Sequence, residues 1–342
     1  MNLDDTKRTL KENNMKYYSE EIVKNLPQRE EYCSSIIKYI NEYPVHTFKD
    51  SKKFEDLIGL TNIDEERSVK LVNKSFVAKD SNVNIYRIVL LCLGKIPLYG
   101  IYFEPIDRTD KTALSYCIHG GDGVPEFPAN IYHNSGNYGH MARRLTDRGI
   151  ACFCPQLLLY RTDLFGGDYN RLDLAKTMLE KGTSLTALEL KLLQCSLDYF
   201  INEENYKEVG CCGLSYGGYY TLRLAAIDKR IKTAFVASDL EDNFVRPNKD
   251  YLSDTLLNTF QQGDIGGLIA PRPLVTNMGD EDEIFPLKGF YNQCEIIKKY
   301  YKALNKEENF YYYEFKGKHE FDLSDKGLNF YINHLQKNRI FN

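Results

Sequence analysis

One six-residue stretch, Gly213-Leu214-Ser215-Tyr216-Gly217-Gly218, constrains this chain more than any other. An apolar run ending in Val209-Gly210-Cys211-Cys212 leads into it, and a helix-forming run from Tyr216 to Ala226 leads out. The pattern reads as a strand, a tight turn with a serine at its apex, and a helix. Gly213 and Gly217 let strand and helix approach closely, and the turn holds Ser215 in a strained backbone conformation that lifts its hydroxyl clear of the sheet. The first turn of the helix adds unpaired N–H groups and the positive end of its dipole, where a developing oxyanion is favoured.

A serine hydroxyl is a weak nucleophile without a base, and the base needs an orienting carboxylate. Both follow downstream in the order this turn requires. A short strand Leu274 to Met278 leads into Gly279-Asp280-Glu281-Asp282-Glu283-Ile284-Phe285-Pro286, and an aromatic strand Phe310 to Phe315 leads into Gly317-Lys318-His319-Glu320-Phe321. Each candidate sits just past the carboxyl end of a predicted strand, where open α/β sheets gather their catalytic groups. Only His319 and His334 follow the acid, and His334 falls inside a predicted helix. Asp239 and Glu241, after the predicted strand Thr233 to Ala237, are rival acids, as is Asp280; Asp282 is preferred.

Together these residues resemble the α/β-hydrolase superfamily, and within it the dienelactone-hydrolase and acetyl-xylan-esterase-like branch. The resemblance is carried by Ala270-Pro271-Arg272-Pro273, by Gly279 with Asp282 and Phe285-Pro286, and by Gly317 with His319 and Phe321. It spans roughly residues 112 to 333 and is specific for the fold, less so for the substrate. It implies Ser215 as nucleophile, His319 as base and Asp282 as the orienting acid. It also assigns the oxyanion hole to two backbone N–H groups, those of Gly121 and Tyr216. Gly121 stands in His119-Gly120-Gly121-Asp122-Gly123, which follows the strand-like run Ala113 to Ile118. The loop lacks the lysine and spacing of a phosphate-binding loop. His119 precedes the serine in chain order and reads as a structural loop histidine.

The expected fold is therefore α/β, with about eight mostly parallel strands and helices on both faces. Residues 81–342 form the catalytic domain, opened by an antiparallel hairpin of Val83 to Leu93 and Ile96 to Phe103 around Gly94-Lys95. Residues 1–80 read as an amino-terminal helical extension or cap. Within it, apolar residues from Met15 to Tyr43 recur at three- and four-residue intervals, with a break expected near Pro27. These helices suit a dimer contact as readily as a lid, so a homo-oligomer is compatible with the sequence.

With 342 residues, 43% of them hydrophobic, the chain can bury a large core, and a net charge of −4 offers no basic face for nucleic acid. No run reaches the roughly 18 apolar residues of a membrane span. The polar start, Met1 to Arg8, lacks the apolar segment of a secretion signal, so a soluble, cytoplasmic protein is expected. The nine cysteines fall largely in apolar, strand-like runs without CxxC pairing, which reads as buried thiols; no metal-ligand spacing and no cofactor motif is present. The irregular stretch from Pro155 to Asp173 carries Arg161, Asp163, Asp168 and Arg171 at the edge where substrate pockets form, and Arg161 is its candidate substrate contact.

The leading functional reading is a serine carboxylic ester hydrolase for small, acetyl-type esters, with a small-molecule ester as its substrate. A peptidase of the prolyl-oligopeptidase kind, whose elbow Gly213 to Tyr219 resembles, is a second reading, although no propeller repeat precedes the domain. A non-catalytic ligand receptor on the same fold is the third.

Overall fold

The computed structural model describes residues 19–42, 59–63, 66–121, 123–131, 136–158, 169–242 and 260–336. Arg161 lies outside the described residues.

In chain order the described elements are helix α1 (Ser19–Glu42), strands β1 (Val69–Asp80), β2 (Val83–Cys92), β3 (Ile96–Pro105) and β4 (Leu114–Ile118), and helices α2 (Glu126–Ala129) and α3 (Met141–Thr146). They continue with β5 (Ala151–Pro155), α4 (Arg171–Glu180), α5 (Leu185–Asn202), β6 (Val209–Leu214), α6 (Tyr216–Ile227), β7 (Ile231–Ala237) and α7 (Gln262–Gly267). The last four are β8 (Leu274–Gly279), α8 (Leu287–Ala303), β9 (Phe310–Phe315) and α9 (Lys326–Leu335).

The nine strands form one sheet in the order β1-β2-β3-β5-β4-β6-β7-β8-β9. The first three pair antiparallel and β3 meets β5 antiparallel, while every pairing from β5 through β9 is parallel. Alternation along the central strands divides the core. Val209 and Cys211 of β6, and Leu114, Tyr116 and Ile118 of β4, face one apolar layer shared with α1, α5, α6 and α8. Cys212 and Leu214 of β6, and Cys117 of β4, face the other, shared with α2, α3 and α9. A sheet covered on both faces needs near-continuous apolar strands, and these five- to seven-residue strands supply them. All nine cysteines are buried free thiols.

Two expectations for the amino-terminal region change. Residues 69–80 are not part of a helical extension: they form the outermost strand, paired with β2 along its whole length. Its register shifts between Leu71 and Asn73 and again between Phe76 and Ala78. Each irregularity inserts a residue and flips the faces beyond it, so the period-2 signal of a strand is scrambled in the sequence. The strand is an edge, and it leaves Val72 59% and Phe76 60% exposed. The second change is that α1 runs unbroken through Pro27. A proline removes one helical hydrogen bond but does not forbid the helix, and the buried face of Tyr32, Ile36, Tyr39 and Ile40 seats the rest of α1 in the core layer.

Candidate active site

The carboxyl ends of β4, β5, β6, β7, β8 and β9 open onto one rim, because all six strands run parallel. The loops carrying Gly121, Ser215, Asp282 and His319 all leave from that rim.

Ser215 stands between β6 and α6 with φ 58° and ψ −123°. For a residue with a side chain this costs on the order of 1–3 kcal/mol and persists only where surrounding bonds fix it. They do so here. The Ser215 amide donates to the Ala237 carbonyl at 2.8 Å, and the Ser215 carbonyl accepts from the Tyr219 amide at 2.9 Å. At about 1 kcal/mol each, with the packing of α6 added, these bonds offset the strain. Gly217 is needed for close approach: a Cβ there would lie 2.1 Å from the Ile118 carbonyl oxygen, which would push α6 off the end of β4.

His319 and Asp282 meet. His319 Nδ1 lies 2.9 Å from Asp282 Oδ2, with the imidazole side chain 10% and the carboxylate 0% exposed. The other carboxylate oxygen, Oδ1, accepts from the amides of Ile284 at 2.8 Å and Phe285 at 2.9 Å, so Asp282 is oriented by its own loop. With an acceptor at Nδ1, the proton of the neutral ring sits on that nitrogen and Nε2 presents a lone pair. The Phe285 ring stacks on the imidazole, with centroids 5.3 Å apart. The backbone of the histidine loop is tied as well: Asn137 Nδ2 donates to the His319 carbonyl at 2.9 Å and the Phe321 amide donates to the Asn137 carbonyl at 2.7 Å.

The acid and histidine loops are packed so closely that only glycine fits at position 279. A Cβ there would come within 2.3 Å of the Lys318 carbonyl oxygen and 2.5 Å of that of Gly317. Asp280, a rival acid, serves this junction instead. Its Oδ1 accepts from the Gly317 amide and its Oδ2 from Lys316 Nζ, both at 3.1 Å, and the Gly317 amide with the Lys316 ammonium holds its carboxyl below the usual range.

No hydrogen bond joins Ser215 Oγ to His319 among the described residues. Their loops are neighbours through β7: the residue after Ala237, Ser238, donates from Oγ to the Glu320 carbonyl at 3.5 Å. The serine also adjoins the glycine-rich loop, since a Cβ built on Gly120 would lie 3.6 Å from Ser215 Cβ. That loop is held by Tyr138, whose hydroxyl accepts from the Gly120 amide at 2.8 Å, and by the Gly123 amide donating to the Gly120 carbonyl at 3.1 Å. The Gly121 amide donates no hydrogen bond among the described residues, and that of Tyr216 begins α6, where no intrahelical acceptor exists.

His119 is structural, as expected. It is fully buried, its Nδ1 lies 2.7 Å from the Gly120 carbonyl oxygen, and its Nε2 accepts from the Leu157 amide at 3.0 Å. Arg171, one of the charges in the irregular stretch, is also not at a surface. It is the first residue of α4, capped by Asn170, and is buried in an ion pair with Glu189.

Asp239 is buried behind the elbow with Oδ2 unbonded. Burial pushes its carboxyl up to about 7 against the opposing pull of Arg223. A folded pKa raised above the unfolded value contributes stability that is full below about pH 4 and is lost as pH rises through about 7. Asp239→Asn should therefore raise the melting temperature over the parent by roughly 2–5 °C at pH 8, with the gap closing toward pH 4. Thermal melts across that range check it, and a gap independent of pH contradicts it.

Sequence reasoning did not reach Tyr138, Asn137 or Ser238, which fix the two loops. Polar residues in turns carry no periodic signal, and only the fold brings them to these backbones.

No family model matches the chain, and neither does any curated protein. Solved structures do match over most of its length. A protein assigned as an acetyl xylan esterase, from Bacteroides fragilis, superposes with a TM-score of 0.59 at 15% identity, covering 87% of each chain. The glucuronoyl esterase of Solibacter usitatus gives 0.58 at 10% identity, covering 89% of this chain and 91% of that one. A cold-adapted esterase from an Arctic intertidal metagenomic library gives 0.51 at 18% identity, covering 77% and 97%. At such identities the likeness speaks for architecture, and it agrees with the strand order. This chain has the α/β-hydrolase fold, on a sheet of nine described strands whose amino-terminal edge is the antiparallel strand β1.

Proposed function

We propose that the protein is a serine carboxylic ester hydrolase acting through an acyl-enzyme on small acyl esters. The observation that carries this reading is the imidazole of His319, oriented by the buried carboxylate of Asp282, on the same rim as a serine held in a strained strand-to-helix turn. In this reading Ser215 Oγ attacks the ester carbonyl while His319 Nε2 takes its proton. Asp282 keeps that proton acceptor in the correct tautomer and stabilises the imidazolium that forms. The amides of Gly121 and Tyr216 receive the oxyanion, a contribution on the order of 3 kcal/mol for each donor. The imidazolium then protonates the leaving alcohol, and a water molecule activated by the same histidine releases the acid.

An acetyl xylan esterase assignment, a glucuronoyl esterase and a further esterase among the structural neighbours support ester cleavage over peptide cleavage. The test compares p-nitrophenyl acetate and butyrate with aminoacyl p-nitroanilides. Turnover of the esters with kcat/KM at least about 100-fold above that on the anilides is expected. Preference for the anilides overturns the reading.

A further inference from the structure

The most deeply buried ion pair beside this site is not used by the reaction sequence above. Arg171, at the start of α4, donates from Nη2 to Glu189 Oε2 of α5 at 2.7 Å, with side-chain exposures of 1% and 0%. Two charges removed from water in this way are costly, and apolar residues of similar volume commonly stabilise a core as well or better. Stability alone therefore does not account for them.

Other bonds of the pair reach two segments of the candidate site directly, the elbow helix and the chain after β5, and the second of these is bonded to the glycine-rich loop through His119. On the elbow, Arg171 Nη2 donates to the Tyr216 hydroxyl and, at 3.3 Å, to the Tyr220 hydroxyl, and its guanidinium lies 4.8 Å from the centre of the Tyr216 ring. The Tyr220 hydroxyl in turn donates to Glu189 Oε2. Just past the end of β5, Arg171 Nη1 donates to the Leu158 carbonyl at 2.8 Å, while Glu189 Oε1 accepts from the Leu158 amide at 2.6 Å. The neighbouring Leu157 amide binds His119 Nε2, and His119 Nδ1 bonds the Gly120 carbonyl. One ion pair thus ties Tyr216 on one side and the Gly120-Gly121 loop on the other.

We infer that Arg171 and Glu189 are positioning residues that set the spacing of the two oxyanion donors. The inference rests on the ester-hydrolase reading and deepens it. A planar guanidinium reaches Glu189, a carbonyl and a tyrosine hydroxyl at fixed angles, which an ammonium or an apolar side chain cannot do. An oxyanion hole works only if its donors are in place before charge develops, so a bridge between their two segments acts on the transition state rather than on substrate affinity.

The test is the double variant Arg171→Met/Glu189→Leu, which replaces the pair by apolar side chains of similar size, with Glu189→Gln as a second variant that keeps shape and part of the bonding. On p-nitrophenyl acetate, the folded double variant should lose about 10²-fold in kcat and keep KM within about threefold, with a melting temperature lowered by several degrees because the Leu158 amide and carbonyl lose their partners. Its affinity for an alkyl trifluoromethyl ketone, which forms a tetrahedral adduct with the serine, should fall by the same factor as kcat. Glu189→Gln should show the same split at roughly a tenfold loss, and it carries the test if the double variant fails to fold. Parent-like kcat and ketone affinity in a folded variant overturn the inference, as does a loss confined to KM. A parent chain that hydrolyses no ester removes the ester-hydrolase reading, and the inference falls with it. A parent that is active and dependent on Ser215, beside a variant equally active, removes the inference alone.

Discussion

Ser215→Ala is expected to lower kcat on p-nitrophenyl acetate by about 10⁶-fold, leaving only what donor groups and binding supply. The size follows from covalent catalysis. Without the hydroxyl no acyl-enzyme forms, and His319 and Asp282 have no proton to move. The fold should be untouched, because what holds the turn is backbone: the Ser215 amide on the Ala237 carbonyl and its carbonyl on the Tyr219 amide. A circular dichroism spectrum and melting temperature equal to the parent's, beside lost turnover, is the expected pair of results. Residual activity within tenfold of the parent contradicts the assignment of the nucleophile.

Asp282→Asn should cost about 10⁴-fold in kcat with KM little changed. An amide in the place of Oδ2 donates to His319 Nδ1 instead of accepting, which moves the ring proton to Nε2 and leaves no lone pair facing the serine. The stabilisation of the imidazolium is lost as well. Asp282 Oδ1 also accepts from the amides of Ile284 and Phe285, so the amide oxygen of asparagine is directed to those two donors, and the unfavourable NH₂ is directed to the histidine. Steady-state kinetics on the same ester check the expectation. A similar loss in Asp239→Asn with Asp282→Asn unaffected would transfer the acid role to the loop after β7.

Which features were legible in the sequence depended on the kind of physics each one uses. The elbow was legible because its glycines answer to sterics that admit no alternative: a side chain at Gly217 meets the Ile118 carbonyl, and one at Gly279 meets the backbone of the histidine loop. The parallel strands were legible because burial on both faces demands uninterrupted apolar runs. The edge strand Val69–Asp80 was not, since two register shifts break its alternation and much of it faces solvent. Nor was the Arg171 and Glu189 pair, whose members are 18 positions apart and belong to different helices. A signal for it did exist. Glu189 is a lone carboxylate in the apolar face of Leu185, Leu188, Leu192 and Leu193, and a charge there requires a buried partner. The loops fastened by Asn137 and Tyr138 offered nothing comparable, because their partners are backbone groups that only the completed fold brings near.

Activation of Ser215 by His319 is what the proposed chemistry requires. It is tested most directly by labelling the intact protein with a fluorophosphonate probe and mapping the adduct by mass spectrometry, in the parent and in His319→Ala. A single adduct on Ser215, formed about 10³-fold more slowly in His319→Ala, is the expected result. An adduct on another residue, no adduct, or an unchanged rate in His319→Ala would contradict it.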